Sequence, residues 1–123
     1  MNITEYIIND VDPLKLEDSV QQAKKIFQQL TFSHLPVMDG DLYVGCVSET
    51  DVHCFESGQN LSDVKYALDV FMVREDTHWL DVLESFAQHN SNVMPVLDEK
   101  NKYLGYYELK DIMQHFNDAP FLY

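Results

Sequence analysis

Two passages of this sequence recur about sixty residues further along. Ser33-His34-Leu35-Pro36-Val37-Met38-Asp39 returns as Asn92-Val93-Met94-Pro95-Val96-Leu97-Asp98. Gly45-Cys46-Val47-Ser48-Glu49-Thr50-Asp51-Val52 returns as Gly105-Tyr106-Tyr107-Glu108-Leu109-Lys110-Asp111-Ile112. The first pair is offset by 59 residues (95 − 36) and the second by 60 (105 − 45), so one residue is inserted between them. A repeat of this kind means one supersecondary unit used twice, each copy covering apolar surface of the other. Differences between the copies then show which half keeps a working site.

The length, 123 residues, suits one compact domain or two half-domains sharing a core. Charge excludes some partners. Twenty-one acidic residues oppose 8 basic ones, for a net −13. Nucleic-acid binding needs clustered Lys and Arg, so it is not expected, and an anionic membrane surface is disfavoured in the same way. Cys46 and Cys54 have no CxxC spacing and read as reduced thiols, which points to the cytoplasm. The first residues carry no basic, signal-like run, and no stretch is long enough for a membrane span.

Each copy reads as β-α-β-β-α, preceded by a helical lead-in at Thr4–Ile8 and Leu61–Leu68. In the first copy, Val11 to Leu16 is extended. Asp18 and Gln21 form a capping box ahead of a helix whose apolar face is Val20, Ala23, Ile26, Phe27 and Leu30. Leu35–Asp39 and Leu42–Val47 make a hairpin across Gly40-Asp41, and a short helix runs from Ser48 to about Phe55. In the second copy, Val70–Val73 is the strand and Thr77 the cap. Trp79, Leu80, Val82, Leu83 and Phe86 form the helix face. Val93–Asp98 and Tyr103–Tyr107 form the hairpin, and Leu109–Phe116 the last helix. Pro36 and Pro95 are expected at sheet edges or strand starts. The fold class is α+β, two repeats in a pseudo-twofold arrangement with small mixed sheets packed against helices. The repeats divide into residues 1–58 and 59–123.

The run His-Leu-Pro-Val-x-Asp followed by Gly-h-h-Ser-x-x-Asp-h, with h apolar, resembles a CBS domain. Two in tandem resemble the pair known as a Bateman module, over about residues 3–117. The resemblance implies a regulatory module rather than an enzyme. It implies an adenosine ligand in a cleft between repeats: AMP, ADP, ATP or S-adenosylmethionine. It also implies a homodimer, and often an effector domain elsewhere in the chain, here beyond the apolar tail Pro120-Phe121-Leu122-Tyr123. The alternative is a module without ligand that serves for dimerisation or scaffolding, with loose Mg²⁺ binding by its acidic surface.

The Ser-x-x-Asp spacing has a chemical reason. A carboxylate can accept both vicinal hydroxyls of a ribose, which assigns that role to Asp51. Ser48, with the Glu49 and Thr50 amides at a helix start, then faces a phosphate. Ser48 and Asp51 also suit a plain helix cap, and the two roles are compatible. His34 stands where family members often carry a basic residue; a half-exposed strand position explains it as well. In the second copy Glu108 replaces Ser48 and Val93 replaces His34. Asp111 is kept and Lys110 is the nearby cation, so a phosphate is disfavoured there, whereas a neutral or cationic adenosine compound is not. Arg74 either reaches across a cleft or is solvated at the surface. The five histidines form no HxxxH or HExxH pair. No P-loop, GxGxxG or GxSxG motif is present, so neither a transition-metal site nor nucleophilic catalysis is expected.

Overall fold

The computed structural model describes residues 2–117; the tail Pro120–Tyr123 lies outside the described residues. The first long helix, α1 (Val20–Gln29), starts from Ser19. Gln22 N–H donates to Ser19 Oγ at 3.1 Å, and Ser19 N–H donates to Gln22 Oε1 at 2.8 Å, closing a capping box. The box lies one residue beyond the expected Asp18–Gln21. Asp18 is committed to the preceding turn, where its carboxylate accepts the Lys15 N–H at 2.8 Å. The second copy repeats the displacement. Thr77 Oγ1 accepts the Arg74 N–H at 2.9 Å, and His78 Nδ1 caps α3 (Trp79–Gln88) by accepting the Leu80 N–H at 3.2 Å.

The first repeat comprises β1 (Leu14–Lys15), α1, β2 (His34–Asp39), β3 (Leu42–Ser48) and α2 (Glu49–Val52). The second comprises β4 (Val73–Arg74), α3, β5 (Val93–Leu97), β6 (Tyr103–Glu108) and α4 (Leu109–Asn117). Both sheets have three strands, ordered β1-β2-β3 and β4-β5-β6, with the first pair parallel and the second antiparallel. The β-α-β-β-α order and the α+β class are as read from the sequence. Several elements are shorter than expected. The first lead-in is one 3₁₀ turn, Thr4–Tyr6, and the second is the 3₁₀ stretch Leu61–Ala67. Helix α2 stops at Val52 rather than near Phe55. The expected strand at Val70–Val73 reduces to Val73–Arg74, and Val70 is exposed. The inserted residue lies in the second hairpin loop. There Asp98 Oδ1 accepts the Lys100 and Lys102 N–H groups at 2.8 and 2.9 Å. These donors, Lys102's foremost, hold the Asp98 carboxyl below the ordinary carboxylate range.

Each repeat is completed by the lead-in of the other. Ile8 exchanges both backbone bonds with Tyr106 of β6, at 3.0 and 2.9 Å. Asp69 does the same with Cys46 of β3, at 2.8 and 2.7 Å. This exchange explains the prolines. Pro36 pairs with Cys46 and Pro95 with Tyr106, so both lie inside central strands, not at edges or starts. Cys46 and Tyr106 direct their backbone groups outward to Asp69 and Ile8, so no ladder N–H is needed opposite them. It also explains two glycines. Gly45 (φ +142°) and Gly105 (φ +141°) bring the crossing backbones close; a Cβ on Gly105 would overlap the Ile8 carbonyl oxygen.

Two apolar cores result, and both mix the repeats. Phe27, Val20, Leu35 and Val47 pack with Leu61 and Val64 of the second lead-in and with Tyr106. Phe86, Val82, Val96 and Ile112 pack with Ile3, Tyr43 and Cys46 of the first repeat. Phe27 and Phe86 are both buried, as their matched positions imply. Of the expected α3 face, Val82 and Phe86 are buried, while Leu80 points to solvent. Equivalent residues meet near the pseudo-twofold axis. Ser33 N–H donates to Asn92 Oδ1 at 2.8 Å and Asn92 N–H donates to Ser33 Oγ at 3.0 Å, while the Tyr43 and Tyr103 rings stack 6.2 Å apart.

Candidate functional site

The antiparallel register sets His34, the first residue of β2, opposite Ser48, the last of β3. Two motifs that are separate in sequence therefore share one end of the first sheet. Ser48 is the N-cap of α2, and its Oγ accepts the Asp51 N–H at 3.0 Å. Glu49 N–H donates to the Ser33 carbonyl at 2.9 Å, tying the helix start to the strand entry. The cross-repeat bridge at Cys46 places Asp69 beside this end, and the C-terminus of α3 contributes His89 and Asn90. Together Ser33, His34, Ser48, Glu49, Thr50, Asp51, Asp69, His89 and Asn90 line a cleft of about 400 Å³. Four of the expected site residues, His34, Ser48, Thr50 and Asp51, thus line one cavity.

His34 is buried, not half-exposed. Its Nε2 lies 3.6 Å from the Asp69 carboxylate and its Nδ1 2.8 Å from Ser33 Oγ. A carboxylate only accepts, so Nε2 carries the proton and Ser33 donates to Nδ1. Burial lowers the His34 pKa, and the opposing pull of Asp69 and Asp51 does not restore it. The imidazole is neutral at neutral pH. It is a hydrogen-bonding group, not the cation a phosphate would want. Its ring packs edge-on against Phe71, 5.2 Å between centroids, and His89 stacks on the same Phe71 at 4.6 Å. Helix α2 has only four residues and carries Glu49 and Asp51, so its terminus offers little positive potential.

The equivalent end of the second sheet is nearly shut. Thr31, Phe32, Asn92, Glu108 and Lys110 enclose a space of about 50 Å³. Phe32 packs edge-on against Tyr106 at 5.5 Å and is buried. The matching residues of the other copy, Ser91 and Cys46, are both smaller. Glu108 is largely buried, with Lys110 Nζ 3.8 Å from its carboxylate. Burial raises the Glu108 pKa against the pull of Lys110. Asp111 is not among the residues lining this space, so it does not join the four clustered at the first cleft.

Sequence reasoning did not find Asp69, His89, Asn90 or Ser33. Asp69 reaches the cleft only through the exchanged lead-in, which no local pattern signals. Arg74 neither crosses a cleft nor is freely solvated: its guanidinium donates to the Asp98 carbonyl at 2.7 Å. Among the described residues no three His, Cys, Asp or Glu side chains converge on a metal position, and no helix is long and apolar enough to cross a membrane. Three larger hollows, about 870 Å³ at the hairpin tips, about 670 Å³ beside α3 and α4 and about 500 Å³ beside the first lead-in, contain none of His34, Ser48, Thr50, Asp51 or Asp111.

The CBS domain profile matches residues 3–54 and again residues 61–118. The chain belongs to the CBS domain family. Its two repeats form a CBS pair, a regulatory module type. It is similar to the inosine-5′-monophosphate dehydrogenase of Methanocaldococcus jannaschii, 28% identical over 111 residues, which are 89% of this chain and 22% of the dehydrogenase. The chain therefore spans about a fifth of the length of the curated relatives it matches. Among solved structures, a CBS domain pair/ACT domain protein of Thermotoga maritima aligns with TM-score 0.82 at 20% identity, covering 98% of this chain and 99% of that one. CBSX2, solved in complex with AMP, aligns with TM-score 0.73 at 16% identity, covering 94% and 96%. These likenesses define the fold.

Proposed function

We propose that this CBS pair is a non-enzymatic regulatory module that binds an adenosine-type small molecule in the cleft at Ser48 and Asp51. The observation that carries this reading is the meeting of His34, Ser48, Thr50 and Asp51 around one open cavity while its counterpart is filled. Asp51 accepts the two ribose hydroxyls, a pairing that matches two donors to one carboxylate. Ser48 keeps its O–H to donate while its oxygen caps α2, and Thr50 supplies a second hydroxyl. The neutral His34 fixes the wall between them. Asp111, whose side chain hydrogen-bonds Glu108 beside the closed counterpart, is the weaker ligand candidate of the set. The AMP bound by CBSX2 supports the adenosine class, as do the AMP, ADP, ATP or S-adenosylmethionine ligands that the family resemblance implies. In this reading the repeats divide at residues 58 and 59, the module pairs as a homodimer in the cytoplasm, and an effector domain lies beyond its C-terminus.

A second reading is a ligand-free scaffold, favoured by one cleft being nearly shut around Phe32, Glu108 and Lys110. Calorimetry separates the two. The panel is AMP, ADP, ATP and S-adenosylmethionine, with and without Mg²⁺. The ligand reading requires saturable binding by one of them, weakened about 1.5–3 kcal/mol by Asp51→Ala and little by Asp111→Ala. Binding by none of them leaves the scaffold.

A further inference from the structure

We infer that the Ser48–Asp51 cleft selects an adenosine compound whose 5′ substituent is uncharged or cationic, and disfavours free phosphates; this rests on the ligand reading above. The cleft lining carries three carboxylates, Glu49, Asp51 and Asp69, and neither Lys nor Arg. The buried His34 is neutral, for the reasons given above. Three of the chain's eight Lys and Arg residues are engaged elsewhere. Lys24 Nζ donates to the Phe55 carbonyl and to Ser57 Oγ, both at 3.0 Å. Arg74 is bound to Asp98, and Lys110 faces Glu108 in the closed counterpart. With a four-residue α2, no helix dipole of useful length compensates.

One of the three carboxylates is satisfied by the ribose. The other two meet only imidazoles in the structure, Asp69 the His34 Nε2 at 3.6 Å and Glu49 the His53 Nε2 at 4.0 Å, and what they complement is a positive group. Asp69 is held in place by the paired backbone bonds to Cys46, so it is a fixed part of the wall. A sulfonium or ammonium carried on the 5′ carbon meets attraction there, whereas a phosphate adds one or two negative charges beside carboxylates. At separations of several ångströms near a protein surface this difference amounts to about tenfold or more in affinity.

The test is calorimetry on the intact chain in Mg²⁺-free buffer containing a chelator. The probes are S-adenosylmethionine, its uncharged thioether S-adenosylhomocysteine, AMP and ATP. S-adenosylmethionine is expected to bind at least about tenfold more tightly than AMP, with a margin that narrows as salt screens the charges. Asp69→Asn and Glu49→Gln should each shrink that margin; the comparison of probes on the unmodified chain does not depend on either variant folding. AMP or ATP binding as tightly as S-adenosylmethionine overturns the inference and leaves the adenosine reading standing. Binding by none of the four overturns both.

Discussion

Replacing Gly105 by Ala tests the exchange of lead-ins that builds both cores. At φ +141° a side chain is strained, and the new Cβ would overlap the Ile8 carbonyl oxygen, which is backbone and cannot swing away. The bridge to Tyr106 must open, with the loss of two backbone hydrogen bonds, each worth about 0.5–1.5 kcal/mol net. Strain at such a φ adds about 1–3 kcal/mol. A stiffer unfolded chain returns about 0.4–1 kcal/mol. Gly45→Ala is the matched control. Its φ is the same within a degree, but the new Cβ would stand 3.1 Å from the Asp69 oxygen, and a small shift relieves it. Gly105→Ala should therefore be the more destabilising by about 1–3 kcal/mol, the worth of the broken bridge. Urea unfolding followed by circular dichroism measures both. An equal loss for the two variants, or a greater one for Gly45→Ala, refutes the reasoning.

Other outcomes follow from the same geometry. Phe27→Ala and Phe86→Ala should each cost about 3–5 kcal/mol, because each ring sits in one of the two cores. A loss below about 1 kcal/mol for either contradicts the paired cores. His34 has its folded pKa below the unfolded value of about 6.5, so the unfolded chain takes up the proton first. Its contribution is complete above that value and declines as pH falls through the window beneath it. Thermal unfolding at about pH 7.5 and about pH 5.5 should show wild type losing more stability on acidification than His34→Gln. An equal loss removes His34 as the source.

The repeat made the order of elements legible, because matched motifs anchor strands and helix starts in both copies. The hairpin insertion was legible for the same reason. Cap positions were off by one at both long helices, since Asp18 and Thr77 look like caps locally and are drawn into the turns before them. The prolines were misplaced because their tolerance depends on Asp69 and Ile8, which arrive from the other repeat. At the site, the residues on the Ser-x-x-Asp and His-Leu-Pro motifs were readable, as spacing along one strand pair determines them. Asp69 and His89 were not, being brought in by tertiary exchange. Nor was the fate of the second cleft. Phe32 lies between α1 and β2, where sequence gives no sign that it packs against Tyr106.

The central claim is that one cleft, at Ser48 and Asp51, receives the ligand. Nuclear magnetic resonance of the ¹⁵N-labelled chain titrated with S-adenosylmethionine, and in parallel with AMP and Mg²⁺, tests it residue by residue. The account predicts saturable shifts at the amides of Ser33, Ser48, Thr50, Asp51, Asp69 and Asn90, with those of Lys110 and Asp111 essentially still. Shifts centred on Thr31, Glu108, Lys110 and Asp111 instead, or none at millimolar concentrations of either ligand, would contradict it.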